Sequence, residues 1–260
     1  MIRSLFYKII NKIRKAILWI SYDYENLLKK QIVLYGEIDL DRINAEKIIK
    51  KKYKEFPEIT DLASEHHLLF SAVSLKNDTE TILEIGTYTG SCTKLFSILF
   101  PQSKICTIDL PDDDPLFGGT YDRNSEEKLS HFIKKRNALI NSCKNVQFLQ
   151  KNSLELYKTD DKFDLIWVDG AHGYPVVAMD IINSLGCLSK NGRMFIDDVW
   201  TNRKTNDPHY KSIGAYESLI SLKHAGLVEF FLIPKRIEFP HGKGHLKKYI
   251  AYVKHSKNYD

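Results

Sequence analysis

The sequence has no close cysteine pair, no long apolar run and no excess of glycine or proline, and each absence removes a class of protein. Cys92, Cys106, Cys143 and Cys187 stand far apart, so neither a zinc ribbon nor a disulfide framework is expected, and free thiols in a reducing compartment fit the pattern. Near the start the longest uncharged run, Ala16 to Tyr22, falls well short of the roughly 18 to 20 apolar residues of a spanning helix. Lys8, Lys12, Arg14 and Lys15 interrupt the stretch that a secretory signal would need. The same segment is rich in Lys and Ile rather than in the Arg and Ser of a transit peptide. The expectation is a cytoplasmic protein, with peripheral placement at a membrane surface as a variant of it. Only 13 Gly and 8 Pro occur in 260 residues, 43% of which are hydrophobic. Collagen-like, low-complexity and disordered chains are thereby excluded, and enough apolar material remains for a core.

The formal charge of +5 is unevenly placed. Residues 1–54 carry 13 Lys and Arg against 6 Asp and Glu, and the remainder carries 25 against 27. Basicity confined to one end argues against a nucleic-acid partner, whose contacts would spread positive potential around the working site. Within that end Ile2, Leu5, Phe6, Ile9, Ile13, Ala16, Ile17 and Ile20 recur at helical spacing, with Arg3, Lys8, Lys12 and Lys15 on the other side. This is a basic amphipathic helix. It is suited to packing on the rest of the chain or a second subunit, or to resting on anionic lipid through residues 1–20. Residues 41–55 read as a second charged helix, and Pro57 marks a boundary. The chain divides into a basic helical N-terminal extension, 1–57, and a main domain, 58–260.

From about residue 60 short apolar runs alternate with helical patterns. Strands are expected at Thr81–Ile85, Lys104–Ile108, Val146–Leu149, Phe163–Val168 and Arg193–Ile196. Helices are expected at Asp61–Leu75, from the glycine turn through Leu99, at Ser125–Ser142, Val176–Leu188 and Ile213–Ala225, with further apolar runs at Val228–Ile233 and Tyr249–Val253. This is α/β patterning and calls for a mostly parallel sheet with helices on both faces. Pro111–Arg123, with three consecutive acids and Gly118-Gly119, reads as a mobile loop beside the ligand.

Two places carry chemistry. In Ile82-Leu83-Glu84-Ile85-Gly86-Thr87-Tyr88-Thr89-Gly90 the glycines follow the first strand and open a helix, where a sheet of this kind binds ligands. The backbone can come close there, and helix N–H groups meet an anionic or polar ligand. Asp109, about 20 residues on at the next strand tip, is placed to accept hydrogen bonds from a ribose or else to cap a turn. Asn152-Ser153, after the third strand, can meet an adenine edge or serve as turn residues.

The second place is acidic. The fourth strand runs into Asp169-Gly170-Ala171-His172-Gly173-Tyr174 and the fifth into Asp197-Asp198. Neighbouring strand tips bring the three carboxylates together, and such a cluster repels itself unless something positive sits in it. A hard divalent cation, Mg²⁺, held by Asp169, Asp197 and Asp198 is the expected occupant, unless one of the acids caps a helix. His172, with an ordinary pKa of ~6.5, is a candidate base, a fourth metal ligand or a substrate hydrogen bonder.

With these segments in this order, residues 60–255 resemble the class I S-adenosylmethionine-dependent methyltransferases. The resemblance implies a Rossmann-like seven-stranded sheet, with Glu84, Gly86, Tyr88, Gly90 and Ser91 around the methionine end of the cofactor. It also implies Asp109 on the ribose and a last antiparallel strand at Tyr249–Val253. Asp169-x-x-His172-x-Tyr174 followed by Asp197-Asp198 is similar to cation-dependent O-methyltransferases of the catechol type, and closer to the branch that methylates sugars on macrolides. A Lys of the catechol type is His172 here, and the usual Asn is Asp198, which turns the expectation away from a phenolic acceptor. The expected function is an S-adenosylmethionine- and Mg²⁺-dependent O-methyltransferase acting on a hydroxyl of a sugar, glycan or glycosylated small molecule, with Asp169 and His172 as its catalytic residues and a homo-oligomer as one assembly. The alternatives are a nicotinamide oxidoreductase, which needs a different glycine spacing, and a non-catalytic cofactor-binding, membrane-surface or scaffold protein that uses the basic helix.

Overall fold

In the computed structural model the described residues are 23–59, 65–119, 123–202, 212–235 and 248–256. The amphipathic helix expected within residues 2–20 lies outside them. Two helices come first, α1 (Tyr24–Glu37) and α2 (Arg42–Glu55), followed by a 3-10 turn at Pro57–Ile59. Then α3 (His66–Ser74) leads to β1 (Thr81–Ile85), α4 (Ser91–Leu99), β2 (Lys104–Asp109), a short α5 (Pro115–Gly118), α6 (Glu126–Asn141) and β3 (Val146–Gln150). A 3-10 turn at Ser153–Lys158 precedes β4 (Phe163–Val168), α7 (Val176–Cys187), β5 (Leu188–Trp200), α8 (Gly214–His224), β6 (Val228–Pro234) and β7 (Lys248–His255).

The strands form one seven-stranded sheet in the order β3-β2-β1-β4-β5-β7-β6. The first five are parallel, and β7 runs antiparallel to both β5 and β6. The mostly parallel sheet is the one expected from the alternating pattern, and its seven-stranded Rossmann-like form with an antiparallel last strand is what the resemblance implies. Neighbouring residues of one strand point to opposite faces, so Ile82 and Trp167 join one hydrophobic cluster while Leu83, Ile166 and Val168 join the other. Helices α1 to α4 cover the first face through Tyr35, Ile49, Phe70 and Phe96, and α7 and α8 cover the second through Ile181 and Leu219. The described part of the N-terminal extension therefore shares one core with the main domain, on both sides of Pro57. Gln31 and Arg42 are buried there as a pair, with Gln31 also donating to the Pro234 carbonyl over 2.9 Å. No helix among the described residues is long and apolar enough to cross a membrane.

One element departs from its expected bounds in a way that matters for the site. The sequence places the fifth strand at Arg193–Ile196, whereas β5 runs from Leu188 to Trp200. Its pairing with β4 ends at Val168–Ile196, and β7 carries it onward through Val199–Tyr249 and Trp200–Lys248. Between these two stretches the register against β7 shifts, and Asp197 and Asp198 sit in that irregularity, Asp198 at φ 50. A bulge of this kind re-aims side chains at the edge of a ladder.

Candidate active site

The register of the central strands puts the sequence-derived residues in one row. Ile85 pairs with Ile108 and with Val168, and Val168 pairs with Ile196. Gly86, Asp109, Asp169 and Asp197, each one residue on, therefore lie side by side along the carboxyl edge of the sheet. β1 pairs with both β2 and β4, so the strand order reverses here and a crevice opens at the edge.

Gly86 has φ +96, and a Cβ there would lie 2.3 Å from the Asp169 carbonyl oxygen. Only glycine lets the turn press this closely on the β4 tip. The contact is fastened by the Asp169 N–H, which donates to the Ile85 carbonyl over 2.9 Å. Gly90 caps α4 in the left-handed conformation, and Ser91 starts that helix. Tyr88, at φ 46, is 44% exposed, and its N–H donates to Asp109 Oδ2 over 2.8 Å. Burial lifts the Asp109 carboxyl above its ordinary range, against the pull of the Tyr88 and Leu110 amides.

Glu84 is not at the surface of the crevice. It is fully buried beneath the turn, where its Oε2 accepts from Thr107 over 2.6 Å and from Thr93, and burial pushes its pKa up to about 7. Asn152 uses its side chain to cap the 3-10 turn, accepting from the Leu154 N–H over 3.0 Å, and Ser153 begins that turn. The Lys151 N–H donates to the Asp109 carbonyl over 2.7 Å, which keeps this segment next to Asp109. In the Pro111–Arg123 loop Asp112 is held by a bidentate pair to the buried Arg136, 2.7 and 2.9 Å, and α5 adds a turn of helix. Residues 120–122 are outside the described ones.

At the acidic place Asp169, Asp197 and His66 present ligand atoms within 4.8 Å of one another. Asp169 and Asp197 thus face the same region, as the parallel strand tips require. His66 reaches it from α3, its ring centroid 5.0 Å from that of Trp167. His172 Nε2 lies 3.7 Å from Asp169 Oδ1. Asp198 is engaged elsewhere: Lys235 Nζ donates to its Oδ1 over 2.8 Å and Lys248 Nζ to its Oδ2. The same Lys235 ammonium donates to both oxygens of Asp197, at 2.5 and 2.7 Å, with a side chain only 2% exposed.

These contacts set the charges. Burial raises the Asp169 carboxyl well above its ordinary value, and the Asp197 charge adds to the rise. Burial pushes Asp197 and Asp198 the same way, but Lys235 overrides it and both end below the usual carboxylate range. Burial lowers His172, with Asp198 and Asp197 opposing, so the imidazole is neutral near pH 7 and can take a proton.

The positive charge that the cluster demands is therefore present as a lysine of this chain. The Mg²⁺ set expected from the sequence, Asp169 with Asp197 and Asp198, does not fit this arrangement, because ammonium groups hold every carboxylate oxygen of the last two. The group that does converge includes an imidazole, a donor more typical of Zn²⁺, Cu²⁺ or Fe²⁺ than of Mg²⁺. Sequence reasoning assigned no role to His66 and did not single out Lys235. The usable signal is charge: three acids at one edge of the sheet call for a cation, and Lys235 directly follows the apolar run of β6, which β7 separates from β5.

Residues 83–199 match the family described as "Methyltransferase domain". Solved methyltransferases and related proteins share its fold over nearly their whole length. The cofactor-bound protein Rv0187 from MTB is 13% identical, with a TM-score of 0.54 over 90% of this chain and 91% of that one. The O-methyltransferase TomG of Streptomyces achromogenes, in complex with SAM, is 17% identical with a TM-score of 0.51, over 86% of this chain and 95% of that one. The SAH-bound methyltransferase PaMTH1 of Podospora anserina is 16% identical with a TM-score of 0.51, over 88% and 96%. At these identities the likeness shows the seven-stranded Rossmann-like fold. The comparison with curated proteins finds no match.

Proposed function

We propose that this methyltransferase domain uses S-adenosylmethionine to methylate a hydroxyl of a sugar, glycan or glycosylated small molecule. The observation that carries the reading is the contact of Gly86 with the Asp169 backbone. It ties the cofactor crevice to the residues that handle the acceptor, so a ligand lying on the glycine turn has Asp169 and His172 beside it. Two of the similar structures hold SAM or SAH, which supports the choice of cofactor.

S-adenosylmethionine supplies an electrophilic methyl on a sulfonium sulfur. In this reading the Gly86–Ser91 turn and Tyr88 receive its amino-acid end, Asp109 holds the ribose, and Asn152 and Ser153 border the adenine. The acceptor oxygen attacks the methyl, the carbon–sulfur bond breaks, and His172 accepts the hydroxyl proton. Holding the partners in line supplies much of the acceleration, and a base at the acceptor contributes typically 10² to 10⁴. An alcohol, far less acidic than a phenol, depends more heavily on that base. The neutral, largely buried His172 suits it better than a lysine, which is protonated at neutral pH.

The test is transfer of a labelled methyl group from S-adenosylmethionine to a panel of glycosides and catechols by the full chain. Label is expected on a sugar hydroxyl, with His172→Ala slowing transfer about a hundredfold or more while cofactor binding persists. Transfer confined to catechols would overturn the acceptor class, and undiminished transfer by His172→Ala would overturn the role of the histidine.

A further inference from the structure

We propose that Lys235 is the resident cation of the acceptor site, occupying by a covalently attached ammonium the place that a divalent ion would need. The inference rests on the methyltransferase reading for its consequence, namely methyl transfer that does not require a metal, but its geometry stands independently of that reading.

A lysine ammonium has three N–H donors and no acceptor. All three are matched here: Lys235 Nζ meets Asp197 Oδ1 at 2.5 Å, Asp197 Oδ2 at 2.7 Å and Asp198 Oδ1 at 2.8 Å. The remaining oxygen of the pair, Asp198 Oδ2, is taken by Lys248. Two carboxylates face two ammonium groups, so the pair is neutral without an added ion. A cation bound at Asp197 and Asp169 would have to share Asp197 Oδ1 with Lys235, a few ångströms from its charge and away from bulk water. Like charges that close repel strongly in such a setting.

The arrangement is built by the fold. Lys235 directly follows β6, and its N–H donates to the Lys248 carbonyl over 3.0 Å at the start of β7. β7 also pairs with β5, placing Lys248 opposite Trp200. The two lysines are therefore delivered to the bulge at Asp197-Asp198 by the antiparallel edge of the sheet. With both oxygens of Asp197 fixed, its carboxylate stands rigidly next to Asp169, which faces the crevice. Lys235 acts in this account as a positioning residue.

The experiment is a Mn²⁺ titration of the full, metal-stripped chain, followed by the electron paramagnetic resonance of free Mn²⁺, with S-adenosylmethionine binding measured in parallel by calorimetry. The parent chain is expected to take up no stoichiometric Mn²⁺ at millimolar concentration. Lys235→Ala is expected to gain one Mn²⁺ with affinity raised about a hundredfold or more, and Asp197→Asn added to that variant should remove the gain. Lys235→Arg, which keeps the charge, should behave as the parent. Stoichiometric uptake by the parent, abolished by Asp197→Asn, would overturn the proposal, and this arm decides even if Lys235→Ala does not fold. A folded Lys235→Ala that takes up no Mn²⁺ would overturn it too. Loss of cofactor binding in the parent would refute the methyltransferase reading alone.

Discussion

Replacing Gly86 with alanine tests the junction that joins the two halves of the site. At φ +96 the new Cβ would lie 2.3 Å from the Asp169 carbonyl oxygen, 2.7 Å from its carbonyl carbon and 3.0 Å from Gly170 Cα. None of these is the end of a side chain that can swing aside; all are backbone at the tip of β4. Two costs add. A non-glycine residue held in a sparsely populated region costs on the order of 1 to 3 kcal/mol, and forcing extra volume into packed surroundings costs about 1 to 3 kcal/mol more. A total of about 2 to 6 kcal/mol is a large part of the roughly 5 to 15 kcal/mol that holds a domain folded. The chain can relieve the overlap by moving the turn away from β4, which gives up the Asp169 to Ile85 hydrogen bond and shifts Asp169 and His172 relative to the crevice. Urea unfolding should therefore show a loss of about 3 kcal/mol, and S-adenosylmethionine affinity should fall about tenfold or more at a temperature where the variant is folded. A variant within about 0.5 kcal/mol of the parent, the ordinary range for a surface change, and with unchanged affinity would refute this account of the junction.

Other substitutions test separate parts of the structure. Glu84 has a folded pKa raised from 4.5 to about 7, so its contribution to stability is complete below pH 4.5 and is lost as pH rises through 7. Glu84→Gln should flatten that slope and add stability at pH 8, on the order of 3 kcal/mol by linkage; urea midpoints at pH 5 and 8 measure it, and an unchanged slope would contradict the assignment. Asp112→Ala strips the buried Arg136 of its bidentate partner and should cost about 3 kcal/mol in thermal unfolding, whereas a neutral result would mean that Asn137, which also accepts from Arg136, suffices. Asn152→Ala removes the cap on the Leu154 N–H and should cost about 1 kcal/mol, read by the same assay.

The parallel half of the sheet was legible because its information is local. Thr81–Ile85, Lys104–Asp109 and Phe163–Val168 are short apolar runs between helical patterns, and each ends in the glycine or acid that a strand tip of this architecture exposes. Once those strands are parallel, the meeting of Asp169 and Asp197 follows from topology without any knowledge of side chains. What stayed hidden depends on long-range pairing. The extent of β5 beyond Ile196 is set by β7 through Val199–Tyr249 and Trp200–Lys248, far along the chain, and the register shift at that pairing holds Asp197 and Asp198, with Asp198 meeting Lys248. Lys235 looks like a solvated charge at the end of a strand until the antiparallel edge places it over Asp197. His66 stands beside His67 at the start of a helix, and nothing in its neighbourhood in the sequence points to β5. Asn152 and Glu84 also make bonds that residue type and position alone do not show: Asn152 accepts from the Leu154 N–H as a cap, and Glu84 accepts from Thr93 and Thr107 beneath the turn.

Calorimetric titration of the full chain with S-adenosylmethionine, and separately with NAD⁺, probes the central claim most directly. One molecule of S-adenosylmethionine should bind per chain, Asp109→Ala should weaken it by about tenfold or more, as expected for losing a buried charged hydrogen-bond partner, and NAD⁺ should give no heat. Binding of NAD⁺ with no response to S-adenosylmethionine would contradict the account.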